Sequence, residues 1–276
     1  MKRKGLNLLL SVLIPVLFII GWHYLAISLN REAILPKPMT VLDHFMNPAQ
    51  NFLGLGSLFR NIGYSLARLL TGYLISALIA VPLGLLMGYY PTVRLLFENF
   101  INLFKPIPPI AWQPLVLGWF GIRSIGTLLD LDYGQTFVML DNLKLSMIFI
   151  IGLGAFFPII LNTMFGVINV PRRWIESSLV LGAKPRDIFT KVLLPAAGPN
   201  IINGLRMGLN TAWVCLVSAE MLPGSMIGVG YFITHAYELT RIDLVITGMI
   251  LIGLTGWLMD YGFRILIKNY FAWNSK

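Results

Sequence analysis

The sequence predicts an all-α integral membrane protein with six transmembrane helices, on three observations. Hydrophobic residues make up 57% of the 276 and charged residues 12%, about half the charge that a soluble domain carries. The apolar residues come in continuous runs of about twenty, the length a helix needs to cross a bilayer, and not in the alternating pattern of barrel strands. Lys and Arg collect in the loops that would share one side of the membrane, as they do at cytoplasmic helix ends.

The runs are 8–28, 65–88, 99–119, 146–168, 200–222 and 244–267. Placing both termini in the cytoplasm puts Lys2, Arg3, Lys4, Arg94, Arg172, Arg173, Lys184, Arg186, Lys191, Arg264, Lys268 and Lys276 inside. It leaves Arg31, Lys37, Arg60, Arg123, Lys144 and Arg241 outside with most of the acids, which is the positive-inside pattern. Lys2-Arg3-Lys4 opens a run too long for a cleaved signal segment, with no small-x-small site after it, so it is read as an uncleaved first span. The expected organisation is 1–60 as N-terminal span and outer loop, 61–270 as a five-span core with a cytoplasmic loop at 171–195, and 271–276 as a cytoplasmic tail.

The same composition excludes several functions. The single cysteine, Cys215, allows no intrachain disulfide, and His23, His44 and His235 lack metal-ligand spacing. No metal and no cofactor are expected. The net charge of +9 fits lysines and arginines at membrane edges. Without a basic stripe interleaved with aromatics, no nucleic-acid partner is expected. The chain holds no G-x-x-x-x-G-K-[ST] phosphate loop, no serine elbow and no paired catalytic carboxylates, so no reaction is expected within it.

The most informative stretch follows the fourth run and reads VPRRWIESSLVLGAKPRDIFTKVLLP. Pro171 sits at a helix start, where its missing N–H costs nothing. Gly182 ends that helix, as a residue just past a C-terminus commonly does. Pro185 opens a second helix with Asp187 in its first turn, where the helix dipole favours an acid. Pro195 is read as the stop. Two short helices with an elbow are therefore expected to project from the membrane.

This loop resembles the Glu-Ala-Ala loop of ABC importer permeases. The family pattern is Glu-Ala-Ala, three residues, Gly, nine residues, Ile, one residue, Leu-Pro. Here Glu176-Ser177-Ser178 precedes Gly182, Val192 and Leu194-Pro195 at that spacing, with serine at both alanine positions and valine for isoleucine. The resemblance implies a type I importer permease (MetI-like) fold in the cytoplasmic membrane. It implies that the loop docks in a cleft of a separate ATPase subunit through Glu176, Ser177, Ser178, Gly182, Ala183, Arg186, Asp187 and Pro195. The implied partners are two ATPase subunits, an extracytoplasmic solute-binding protein, a second copy of the permease as a homodimer, and the lipid bilayer.

Other segments narrow the resemblance. Leu35-Pro36-Lys37-Pro38, the run from Lys105 to Trp112, Gly154 to Pro158, Ala219-Glu220-Met221, and Gly248, Gly253 and Gly256 before Asp260 look like the nitrate, sulfonate, taurine and bicarbonate importer group. That group also takes in permeases for thiamine-precursor pyrimidines. The resemblance implies a compact solute, an anion by preference. Two departures stand out. Gln113 occupies a position that is usually apolar, and residues 124–144 look like an insertion. The insertion is read as a water-exposed hairpin carrying Tyr133, which either touches the binding protein or is a passive elaboration.

Ionisable and polar groups inside spans are costly and point to the pathway. Arg68 either attracts an anion or snorkels to the outer interface. Glu220 is expected to pair with Arg68, as part of a gate or as a fixed interhelical ion pair. Arg206 and Asp260 are expected to pair with loop groups. Pro108 and Pro109 either break the third span into a pathway wall or merely kink it. Asn162 and Thr163 either line the pathway or hydrogen-bond between helices. The candidate pathway residues are thus Arg68, Pro108, Pro109, Gln113, Asn162 and Glu220. An ion-coupled secondary transporter would carry inverted repeats, and an intramembrane enzyme a catalytic constellation; the sequence displays neither.

Overall fold

A computed structural model describes residues 2–52, 54–130, 134–221 and 224–270. The helices are α1 (Lys2–Leu29), α2 (Pro38–Met46), α3 (Leu58–Tyr89), α4 (Pro91–Phe104), α5 (Gln113–Phe120), α6 (Ile125–Leu128), α7 (Gln135–Asp141), α8 (Leu145–Ile168), α9 (Arg172–Val180), α10 (Pro185–Ile188), α11 (Leu194–Glu220), α12 (Val229–Glu238) and α13 (Ile242–Tyr270). A 3₁₀ turn covers Pro109–Trp112 and a π-helical turn covers Phe189–Leu193. Among the described residues the sole strand-like feature is one isolated bridge, Ser124 to Lys144. Tyr133 and the tail 271–276 lie outside the described residues.

Among the described residues four helices are apolar and long enough to cross a membrane: α1, α3, α8 and α13. The fifth predicted run forms α11, whose 27 residues extend about 40 Å, but Arg206 and several asparagines interrupt its apolar character. The third predicted run is not one helix. It is divided into α4, the 3₁₀ turn and α5, because Pro106, Pro108 and Pro109 have no N–H to continue a helical ladder.

One expectation is corrected here. Pro195 stops nothing: α10, the π turn and α11 follow one another without a gap. The Leu194 N–H reaches back five residues to the Phe189 carbonyl. This wide turn sits directly before the proline, whose missing N–H would otherwise break a regular ladder. The elbow therefore has one short helix before it and the fifth span after it. Pro171 also stands one place earlier than expected, as the N-cap of α9.

The chain divides into two units, residues 1–63 with 226–254 and residues 64–225 with 255–276. In the first, Phe52, Leu58, Val229, Phe232, Ala236, Leu244 and Leu251 form a buried cluster. Asn61 ties the loop before α12 in place by accepting the Gly228 N–H at 3.0 Å and donating to the Leu55 and Ser57 carbonyls. Asp243 accepts two hydrogen bonds from Arg241 and lies 3.0 Å from the His44 ring. Ile14, Phe18 and Leu25 of α1 are exposed, as suits a helix surrounded by lipid.

In the second unit α8 is the central helix, with thirteen buried residues. Two small-xxx-small pairs let α3 and α11 approach it closely. A Cβ on Gly84 would lie 2.8 Å from the Ile160 carbonyl, and one on Gly208 2.6 Å from Ile159 Cγ1. The inserted segment folds as α6 and α7, closed by the Ser124–Lys144 bridge. The Ser124 hydroxyl donates to Asp141 at 2.7 Å and the Lys144 ammonium at 3.0 Å.

Candidate functional site

Three places in the second unit gather the chemistry-bearing residues. The first is the elbow. The helix α9 ends on Leu181, and Gly182 follows at φ +79°, a left-handed conformation that glycine adopts freely. The Gly182 N–H donates to the Leu179 carbonyl at 2.9 Å and the Ala183 N–H to the Ser178 carbonyl at 3.0 Å. This pair of bonds is the Schellman termination, which satisfies the last carbonyls of a helix. Underneath, Val167, Val170, Ile188, Leu193 and Ala197 form a buried cluster with Ala183, Ile175 and Phe189 packed against it. The elbow is thus anchored on its inner side. On its outer side Val180 and Leu181 are each 87% exposed, beside exposed Leu179 and Trp174.

Around this apex Glu176, Ser177, Gly182, Arg186 and Pro195 are exposed, while Ser178, Ala183 and Asp187 are half-buried. Both serine hydroxyls turn back onto their own helix, to the Arg173 and Trp174 carbonyls. Asp187 accepts from Lys191 at 2.8 Å; that hydrogen bond and the lysine charge hold its carboxyl below the usual range.

The second place is a buried ion pair. Arg68 on α3 and Glu220 at the end of α11 are 1% and 0% exposed, with Nη1 2.6 Å from Oε1. Ser65, three residues before Arg68, donates to both carboxylate oxygens at 2.8 and 2.9 Å. Arg68 also donates to the Asn142 carbonyl at 2.7 Å and to Ser225 at 3.3 Å. Arg68 therefore does not snorkel: its donors meet buried acceptors, and the sequence signal for snorkelling yields to that network. Arg206 and Asp260 likewise depart from expectation. They pair with each other at 2.5 and 3.0 Å, not with loop groups, and Asn210 and Arg264 add further bonds to the same carboxylate.

The third place is the break between α4 and α5. It borders a cavity of about 450 Å³ lined by Lys105, Ile107 and Pro109 from the break, by α8 from Leu153 to Phe165, and by Met207 and Thr211 of α11. Asn162 in this wall donates to the Pro158 carbonyl at 2.8 Å, and Asn203 approaches its oxygen at 3.4 Å. Pro108 is exposed beside the break, and Gln113 is 5% exposed at the start of α5 without lining the cavity. Its side-chain nitrogen, like the Thr163 hydroxyl, has no hydrogen-bond partner among the described residues.

The six candidate pathway residues therefore fall into separate places. Arg68 and Glu220 meet each other, Pro109 and Asn162 share the cavity, and Pro108 and Gln113 join neither set. Sequence reasoning passed over Lys105, Asn203, Met207 and Thr211. The last three recur every fourth residue, which places them on one helical face and was a readable signal.

Apolar helices long enough to cross a membrane, an anchored and partly apolar elbow, and an open cavity between helices are the features of a membrane-embedded helical protein. The chain belongs to the family of binding-protein-dependent transport system inner membrane components, which matches residues 80–271. It is 46% identical, over 99% of its length and 95% of the relative's, to a putative ABC transporter permease protein of Methanocaldococcus jannaschii. It is 31% identical, over 95% of its length and 88% of the relative's, to the taurine transport system permease protein TauC of Escherichia coli. Further relatives are named as permeases for aliphatic sulfonates in Bacillus subtilis (30% identity over 99% of this chain and 90% of the relative) and for bicarbonate and nitrate in Synechocystis (28% over 97% and 90%, 31% over 91% and 84%). A solved structure of the MetNI methionine ABC transporter in inward-facing conformations shares the fold, with a TM-score of 0.60, 20% identity, and coverage of 77% of this chain and 95% of that one.

Proposed function

We propose that this permease is one of two identical membrane subunits of an ATP-driven importer for a small anion, a sulfonate, nitrate or bicarbonate. The anion reading is supported by the names of the relatives given above. ATP hydrolysis is assigned to two separate ATPase subunits, since the chain has no phosphate-binding loop. A solute-binding protein delivers the anion from outside. Both termini and the elbow lie in the cytoplasm, residues 61–270 form the transport core, and 1–60 add a flanking span.

The observation that carries this reading is the elbow. Glycine at φ +79°, an exposed apolar apex and a buried anchor together describe a rigid knob made to be covered by another protein. Glu176, Ser177, Ser178, Gly182, Ala183, Arg186, Asp187 and Pro195 ring that knob and form the ATPase contact. From there the π turn leads directly into α11, so a push on the elbow is a push on a spanning helix, the kind of rigid-element motion that couples distant sites. At the far end of α11, Glu220 with Arg68 is assigned as an outer gate, and Pro108, Pro109, Gln113 and Asn162 to the pathway wall.

The test is co-purification of the tagged permease with its ATPase from membranes. A charge at the apex, Val180→Asp, is expected to lose the ATPase and all ATP-dependent uptake while the permease remains in the membrane. Full recovery of the ATPase with this variant would overturn the assignment.

A further inference from the structure

We infer that Lys105 is the cation that receives the transported anion inside the membrane. This rests on the anion reading above and names the group that meets the solute.

The first ground is depth. The cavity is lined on α8 from residue 153 to 165 and on α11 at 207 and 211, the middle portions of helices running 145–168 and 194–220. It therefore lies within the depth that both helices span, where an uncompensated lysine is costly. The second ground is pairing. The described cations within the other apolar runs, Arg68, Arg206 and Arg264, are each ion-paired to a buried or half-buried acid. Lys105 has no ion pair among the described residues, it is exposed, and no acid lines its cavity. A charge kept unpaired at that depth retains its attraction for an anion arriving from water.

The surroundings suit such a visitor. A cavity of about 450 Å³ falls within the ordinary range for small-molecule sites. Asn162 contributes an amide whose second N–H meets nothing stronger than the Met207 sulfur at 3.8 Å. Thr211 donates to the Met207 carbonyl, which leaves its oxygen as an acceptor facing the cavity. The identity of the cation also fits transport. An arginine would grip an oxyanion through two parallel bonds, whereas lysine is a flexible, strongly hydrated point charge. A pathway must bind well enough to admit a solute and weakly enough to release it.

The experiment uses the whole transporter in proteoliposomes, with nitrate and ethanesulfonate as probes supplied through the binding protein. Lys105→Gln is expected to reduce uptake about ten- to a hundredfold, the size of a lost hydrogen bond to a charged group. Lys105→Arg should retain uptake but release the anion more slowly. Lys105→Cys, inactive alone, should recover when aminoethyl methanethiosulfonate restores the positive charge. Uptake by Lys105→Gln equal to wild type overturns the inference and leaves the importer reading intact; a lysine that merely reaches a lipid headgroup gives this result. Loss in every variant with no recovery on aminoethylation also overturns it, because charge is then not the property that matters. A wild-type transporter that moves neutral pyrimidines and neither anion removes the anion reading, and this inference with it.

Discussion

Arg68 and Lys105 are both cations within apolar runs of the second unit, and they are handled in opposite ways. Arg68 is 1% exposed and has Glu220, Ser65's partner carboxylate, the Asn142 carbonyl and Ser225 around it. Lys105 stands at the rim of a cavity with no acid in its lining. An ionisable residue in a span is therefore not in itself a transport site. The count of built-in partners separates a structural or gating charge from one that is held ready for a solute.

The sharpest way to break that comparison is to spoil the buried pair. Glu220→Gln removes the carboxylate that the buried Arg68 guanidinium faces at 2.6 Å, and a loss of about 3–5 kcal/mol of stability is expected, read as a large fall in the unfolding temperature in detergent. The double variant Arg68→Met with Glu220→Met should recover most of it, since an apolar replacement of a whole buried pair is often neutral. A single variant no worse than the double would mean that the pair is not a closed unit. Next in size is Gly182→Ala, which forces a left-handed alanine at the elbow and should cost about 1–2 kcal/mol, with weaker capture of the ATPase.

A smaller effect, at most about 1 kcal/mol for a half-buried pair that still meets solvent, is expected at the inserted segment. Burial alone would push the Asp141 carboxyl up, but the hydrogen bond from Ser124 and the hydrogen bond and charge of Lys144 outweigh it and hold it below the usual range. A depressed carboxyl stabilises above the ordinary carboxylate range and loses that contribution as pH falls through its own lower value. Hydrogen-exchange protection of the Ile125 and Leu145 amides, which hold the bridge at 3.0 Å each, taken relative to the intrinsic rate at each pH, should thus stay high at neutral pH and fall on strong acidification; Asp141→Asn should abolish that fall. The smallest change in stability belongs to Lys105→Gln, within about 0.5 kcal/mol, because that exposed ammonium has no ion pair among the described residues. Stability loss there comparable to Glu220→Gln would erase the contrast.

Much of the molecule was readable along the chain, and the reasons are local. The elbow could be placed because Pro171, Gly182 and Pro185 act on their own backbone: a glycine at the C-terminal end of a helix and a proline at the start of the next follow from φ preferences within a few residues. The split of the third span followed from its prolines in the same way. Pro195 misled because its effect depends on the turn before it. A π-helical turn took up the missing N–H, and a proline that would stop a regular helix became the second residue of a long one.

Pairing was the other limit. Arg206 finds Asp260, Arg68 reaches the Asn142 carbonyl of the inserted segment, and Asn162 meets Asn203, partners separated by tens of residues. The sequence determined by itself a helical membrane protein with an elbow after the fourth apolar run, since run length and turn residues are properties of short stretches; that it is a permease was implied only by resemblance, through the motif in that elbow. Tertiary structure alone decided which charges are neutralised and which one faces a cavity. Those outcomes depend on where distant helices bring their side chains together, and no short stretch of chain contains that information.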